Sequence, residues 1–357
     1  MIKLLHAADL HLGARFRGLP PEKAAQRRRL QLTLPGRLAE LCREEGCQLA
    51  LLAGDLFDQP QATAEAVQAL AAALEEMAVP VFIAPGNHDY CCTDSPYLTG
   101  AWPGNVHIFS RPELQSVALP ELDCRVWGAG YTGMDCPALL EGFRASGPET
   151  TQLMVLHGDP LSAASFTCPI TRQQVSASGL QYLALGHVHR WGTLEGSGTL
   201  AAWPGCPMAT GFDETGPKGV LLVEDGKPAF CPLGLGEYLD LQVEAGDNPL
   251  AAILAALPPD TRQDVARITL TGPAEPVDLQ AIQAQLADRF FHLALRDKTN
   301  LPPDIWKTAG EDSLEGVYFR RLQKAAEAAA TEEAAQTYIL AARISRRILE
   351  GQEVNLP

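Results

Sequence analysis

The stretch Ile2-Lys3-Leu4-Leu5-His6-Ala7-Ala8-Asp9-Leu10-His11 runs mostly apolar and then stops on a carboxylate and an imidazole. Four further runs end in the same way. Leu49–Gly54 leads to Asp55, Val81–Gly86 to Asn87, His88 and Asp89, Leu153–Leu156 to His157, and Tyr182–Gly186 to His187 and His189. Short apolar runs bounded by turn-forming residues read as buried strands. A buried strand interior cannot hold unpaired charge, so polar chemistry collects in the crevice beyond the carboxyl ends of such strands. The pattern therefore predicts one crevice in which metal-binding side chains from all these runs meet.

Working outward, Glu22–Glu45 has helical periodicity through Leu30, Leu34, Leu38 and Leu41, with Pro35 expected to kink or break it. Gln48–Gly54 and Pro80–Ala84 read as strands, and Ala62–Met77 as an alanine-rich helix between them. This βαβαβ order implies parallel strands. After Asn105 shorter strands follow at Val106–Phe109, Gln115–Leu119, Arg125–Gly128, Gln152–Leu156, Leu180–Leu185, Thr199–Trp203 and Gly219–Val223. Few helices separate them, so a second sheet should pack on the first, with helices outside both.

A boundary is expected near Leu233–Glu237, where Gly234 and Gly236 interrupt the pattern. Beyond it, strands at Tyr238–Val243, Ala266–Thr271 and Phe290–Leu295 alternate with helices at Pro249–Leu257 and Leu279–Ala287. Thr299–Pro303 reads as a linker, and Glu311–Glu350 as helical with a break near Thr331. The division expected is thus 1–235, 236–298 and 299–357. The last segment has nearly balanced charge and an apolar face at Leu314, Val317, Tyr318, Leu322, Ile339, Leu340, Ile344 and Ile348, which must pack on its own domain or on a partner.

The chain has 357 residues, 46% hydrophobic and 20% charged, as in ordinary globular proteins. No apolar run approaches the roughly 20 residues that span a bilayer, and the first residues enter a strand rather than a signal peptide. No membrane association and a cytoplasmic location are expected. The nine cysteines show no CxxC pair and are read as reduced thiols. A net charge of −15 argues against a protein that coats nucleic acid electrostatically. Arg15, Arg17, Lys23, Arg27, Arg28 and Arg29 are nonetheless concentrated just after the first ligand loop, as phosphate contacts or as a solvated helix face.

Asp9 and His11, like His187 and His189, are spaced i, i+2, which in extended chain places both side chains on one side. Mixed carboxylate, imidazole and amide donors suit Mn²⁺, Fe²⁺ or Zn²⁺ better than Ca²⁺. Asp9, His11, Asp55, Asn87, His157, His187 and His189 exceed what a single catalytic zinc requires, and two ions explain the surplus. His6, His107 and His292 are read as structural, and Phe57, Tyr90 and Phe212 as packing residues that could instead stack on bases.

The blocks Asp9-Leu10-His11, Gly54-Asp55, Gly86-Asn87-His88-Asp89, His157 and Gly186-His187-Val188-His189 resemble, in order, the signature blocks of the calcineurin-like metallophosphoesterases. The extended forms through Gly13, Asp58 and Arg190 are similar to the SbcD-like and YhaO-like bacterial DNA repair nucleases. The resemblance implies a two-sheet α/β/β/α sandwich with a small α+β capping domain and C-terminal helices. It also implies that Asp9, His11, Asp55 and His189 hold one ion, and that Asp55, Asn87, His157 and His187 hold the other. His88 would be the non-ligand catalytic residue and Asp89 would orient it. Manganese is the expected metal, with hydroxide between the ions attacking a DNA phosphodiester in line. DNA and a coiled-coil SbcC-like ATPase are the expected partners, with homodimers known in the family. The alternative is a small-molecule phosphodiesterase or pyrophosphatase on the same site.

Overall fold

The computed structural model describes residues 2–300, 303–349 and 351, and the chain divides into two compact units, 1–237 and 238–357. In the first unit the elements run β1 (Lys3–Ala7), α1 (Pro21–Gln31), α2 (Leu34–Glu44), β2 (Leu49–Leu52), α3 (Ala64–Met77), β3 (Val81–Ile83), α4 (Pro96–Thr99), β4 (Val106–Ile108), β5 (Gln115–Leu119), β6 (Cys124–Gly128) and β7 (Thr151–His157). They continue through α5 (Arg172–Ala177), β8 (Tyr182–Gly186), β9 (Arg190–Glu195), β10 (Leu200–Gly205), β11 (Gly219–Glu224) and β12 (Lys227–Pro232).

Among the described residues these strands form two six-stranded sheets, ordered β12-β11-β1-β2-β3-β4 and β5-β6-β7-β8-β10-β9. β1 to β4 are parallel, as are β6, β7, β8 and β10, while the flanking strands run antiparallel. Side chains alternate between layers with the period of the pleat. From β1, β2 and β3, Leu5, Ala7, Ala50, Leu52, Val81 and Ile83 pack with Leu38, Cys42, Leu70 and Leu74 of α2 and α3. Their neighbours Leu4, Leu49, Leu51 and Phe82 face Val126, Leu153, Val155, Tyr182 and Ala202 of the other sheet. Met154, Leu156, Leu183 and Leu185 turn outward onto Val175 of α5. The result is the α/β/β/α sandwich that the sequence predicts.

The helix expected at Glu22–Glu45 is two helices. The chain turns at Leu32-Thr33, and Pro35 sits in the first turn of α2, where its missing N–H costs nothing. β9 and β12 are edge strands that the sequence reading did not predict, and β4 and β11 join the first sheet rather than the second.

In the second unit β13 (Tyr238–Glu244), α6 (Pro249–Ala256), β14 (Val265–Thr271), α7 (Leu279–Leu286) and β15 (His292–Asp297) form a parallel three-stranded sheet with its own core around Ile253, Ile268, Leu270 and Leu286. A 3₁₀ stretch at Pro303–Gly310 precedes α8 (Leu314–Glu327) and α9 (Glu332–Leu349), so the predicted break near Thr331 falls between two helices. Of the expected linker, Leu301 and Pro302 lie outside the described residues. Thr299 is buried and bonded to Asp297 and Arg343, and Asn300 bridges to Pro273.

Glycines in the ligand motifs form the floor of the crevice. A Cβ on Gly186 would lie 2.0 Å from Ala53 O, and one on Gly86 2.3 Å from Asp55 Oδ1. Gly186→Ala should therefore cost more than about 2 kcal/mol, because a backbone oxygen cannot step aside. The exposed Gly36 of α2 meets nothing within 4 Å, and Gly36→Ala should stabilise by about 0.5–1 kcal/mol. Urea unfolding of both variants checks the pair; equal and small effects would contradict the crowding argument.

Candidate metal centre

The site lies wholly within the first unit, at the carboxyl ends of β1, β2, β3, β7 and β8. Its loops are tied to one another by the backbone. Asp9 N donates to Gly54 O (3.0 Å), His11 N to Asp55 O (2.9 Å) and Leu12 N to Leu56 O (2.9 Å). Four ligand candidates, Asp9, His11, Asp55 and His187, have positive φ of 54°, 45°, 50° and 97°. Non-glycine residues pay for this region in strain, and such strain gathers at functional sites.

Asp55 occupies the middle of the cluster. Its Oδ2 lies 3.3 Å from His157 Nε2 and 3.9 Å from His11 Nε2, while Oδ1 accepts from His88 N at 2.8 Å. On one side Asn87 Oδ1 stands 2.9 Å from His157 Nε2 and 3.2 Å from His187 Nδ1. On the other, His11 Nε2 and His189 Nε2 approach to 3.1 Å, with Asp9 in the same donor cluster. All seven ligand candidates named from the sequence are thereby brought together.

The outer nitrogens of three of the imidazoles are committed elsewhere. His157 Nδ1–H donates to Ala53 O (2.9 Å), His187 Nε2 meets Thr167 Oγ1 (3.1 Å), and His189 Nδ1 bonds to Glu214. Fixing one ring nitrogen sets the tautomer and turns the other inward, as around metal-ligating histidines. The converging lone pairs fit divalent cations.

Electrostatics point the same way. Burial alone would lower the His11 pKa, but Asp58, Asp55 and Asp9 lift it to about 9. Burial likewise opposes the charge on His157, and Asp55 overcomes it, raising the pKa to about 10. Against its own burial, Asp55 is held below the usual carboxylate range by His157, His11 and His88. His187 is depressed by burial and by the neighbouring His157. Protons on imidazoles thus supply the positive charge that the buried carboxylates demand.

Asp89 differs from the expectation. It does not orient His88, whose Nδ1 lies 3.3 Å from Asp58 O instead. The Asp89 carboxylate accepts from Gly86 N (2.7 Å), Leu56 N (2.7 Å), Asp55 N (3.2 Å), Phe57 N (3.2 Å) and Tyr97 Oη (2.5 Å). Those donors belong to the two loops that carry Asp55 and Asn87, so this carboxylate ties the loops together and has no capacity left for the His88 ring. Burial, reinforced by repulsion from Asp55, raises its pKa.

Glu214, Thr167 and Gln31 belong to the site and were not found in the sequence. Gln31 Nε2 donates to His11 O (2.9 Å) and Leu10 O (3.2 Å), holding the first ligand loop from α1. Asp58, noted in the sequence only as the end of an extended motif, lies 3.5 Å from His11 Nδ1. Phe57 is fully buried against Tyr97 and is a core residue, and His6 is locked between Tyr182 Oη and Leu185 O.

The exposed His88 opens onto a cleft of about 530 Å³ lined also by Arg15, Phe16, Arg17, Asp58, Gln59 and Thr210. Of the other basic residues near the first loop, Arg27 is buried and donates to Leu235 O (2.7 Å), whereas Arg28 and Arg29 are exposed on α1.

An α/β/β/α sandwich with inward carboxylate, amide and imidazole donors at its strand ends suits metal-dependent phosphoester chemistry. Residues 2–191 match the model of the calcineurin-like phosphoesterases, and the chain belongs to that family of dimetal enzymes. It is 30% identical over 234 residues to the uncharacterized metallophosphoesterase YhaO of Bacillus subtilis, covering 62% of this chain and 57% of YhaO. It is 24% identical over 274 residues to SbcD, a component of the SbcCD nuclease of the same bacterium, covering 64% of this chain and 67% of SbcD. A 123-residue stretch is 31% identical to the DNA double-strand break repair protein Mre11 of Aeropyrum pernix, 34% of this chain and 29% of Mre11. The chain thus spans little more than half of YhaO. Among the described residues no helix is long and apolar enough to cross a membrane.

A ligating imidazole must be neutral, whereas His11 and His157, with pKa values of about 9 and 10, carry protons at neutral pH in the metal-free protein. Divalent-ion binding should therefore release about one or more protons per chain near pH 7.5 and weaken as the pH falls. Calorimetry of Mn²⁺ binding in two buffers of different ionisation enthalpy measures the release, and identical heats would refute it. In the metal-free protein these raised pKa values favour the fold fully below the ordinary histidine range, a contribution lost as the pH rises through 9 to 10.

Proposed function

We propose that this chain hydrolyses DNA phosphodiester bonds, as the exonuclease or endonuclease component of a DNA repair complex. The observation that carries the reading is the meeting of two inward donor sets at Asp55, beside an open cleft that holds His88, Arg15 and Arg17. Asp9, His11, Asp55 and His189 would hold one divalent ion and Asp55, Asn87, His157 and His187 the other, Asp55 serving both. Manganese suits this mixture of oxygen and imidazole donors. When bound, the two ions supply an activated water and neutralise phosphate charge.

The residues of the chain do the rest. Arg15 and Arg17 attract and seat the phosphate backbone in the cleft. His88, whose Nδ1–H donates to Asp58 O, in its doubly protonated form donates Nε2–H to the phosphate or gives that proton to the leaving oxygen. Asp89 keeps the loops of Asp55 and Asn87 in register. The relatives named as part of a nuclease and as a double-strand break repair protein favour DNA as substrate. We assign to residues 236–298 the capping role that the resemblance implies. Exposed Leu314, Val317, Tyr318, Leu340 and Ile348 on α8 and α9 suit docking of a coiled-coil ATPase.

End-labelled linear DNA should be digested with Mn²⁺ and left intact without metal. Turnover of a small chromogenic diester with no cleavage of single- or double-stranded DNA would overturn the substrate assignment. His88→Ala should lower the hydrolysis rate about 100-fold or more with metal content preserved; undiminished turnover would remove His88 from the chemistry. Arg15→Ala and Arg17→Ala should each reduce the salt dependence of DNA binding by about one phosphate contact. An unchanged slope in fluorescence titrations would place them outside the DNA path.

A further inference from the structure

Glu214 lies in the loop between β10 and β11, far in sequence from most of the ligand candidates, yet it reaches one of them. One carboxylate oxygen bonds to His189 Nδ1, and the other accepts from Thr210 N (2.6 Å) and Thr210 Oγ1 (3.0 Å). The side chain is only 8% exposed, so these bonds face little competition from water. The peptide of His189 is held as well, its carbonyl accepting from Lys218 Nζ (3.1 Å). With Nδ1 engaged, His189 directs Nε2 to within 3.1 Å of His11 Nε2, inside the donor cluster of Asp9 and His11.

We propose that Glu214 is a positioning residue of the metal centre, which fixes the tautomer and ring orientation of His189 and strengthens Nε2 as a donor to the ion shared with Asp9, His11 and Asp55. A carboxylate behind a ligating histidine makes the imidazole a better base, and loss of such a partner weakens metal binding about 10- to 100-fold. Glu214 does not form a separate cation site with His189 and Cys206, although their donor atoms cluster. Both of its oxygens are already engaged, and Cys206 Sγ faces His189 O at 3.6 Å. Thr210 is the second support, because it anchors the carboxylate by backbone and hydroxyl together. Thr210 also lines the cleft, so the same short loop shapes the substrate wall and steadies the ligand behind it.

The proposal rests on the two-ion reading, and titration of the full chain with Mn²⁺ alone separates the two. The wild type should bind two ions. Glu214→Gln should weaken one site about 10- to 100-fold and leave the other within about threefold, with an unchanged melting temperature. In a His189→Ala background Glu214→Gln should have no further effect, because the carboxylate acts only through that imidazole. Thr210→Val, which leaves His189 and Glu214 in place, should weaken the same site to a smaller degree. Two ions bound equally well by wild type and Glu214→Gln would overturn the proposal while sparing the two-ion reading, as would an equal loss in the His189→Ala background. A wild type that binds no Mn²⁺ would overturn both.

Discussion

Asp9 and Asp55 are buried aspartates with no lysine or arginine paired to them among the described residues. Burying a carboxylate is costly unless hydrogen bonds and positive charge surround it. Here the compensation comes from backbone N–H groups of His88 and His187 and from imidazoles that carry protons. Much of the local design follows from this demand. Strand ends from two sheets must converge within a few ångströms, glycines must clear the floor, and several ligand residues must accept left-handed backbone.

Asp89 illustrates how such a centre is held. A third buried carboxylate placed beside Asp55 is electrostatically unfavourable, and its raised pKa reflects that repulsion together with burial. It is tolerated because four backbone N–H groups and the Tyr97 hydroxyl converge on it. The motif that contains it places it correctly in sequence, but its task is to join loops rather than to serve the neighbouring imidazole. Adjacency in a motif predicted the position and not the partner.

The layered fold and the donor cluster were legible because both depend on strongly patterned sequence. Central strands such as Leu49–Leu52 and Tyr182–Gly186 are buried on both faces and read as continuous apolar runs. β9 and β12 escaped notice because they are edge strands with half-exposed side chains, and β12 carries Pro228 and Pro232, which only an edge tolerates. The assignment of β11 to the first sheet follows from antiparallel pairing with β1, a contact between residues more than 200 positions apart. Glu214 and Gln31 left no local signal either. One stands in a glycine-flanked loop and the other on an unremarkable helix face, and only folding brings them to His189 and His11.

The approach of His11 to His189 spans 178 positions of the chain, and the group around Asn87 likewise closes only with His187. On a ribosome that makes chain from the amino end, both halves of the centre therefore stay open until β8 and its following turn have emerged and docked. Completion of the donor cluster is then a late event of biosynthesis. A stalled product lacking those last histidines would leave Asp9 without the His187 N–H that bonds to its carboxylate.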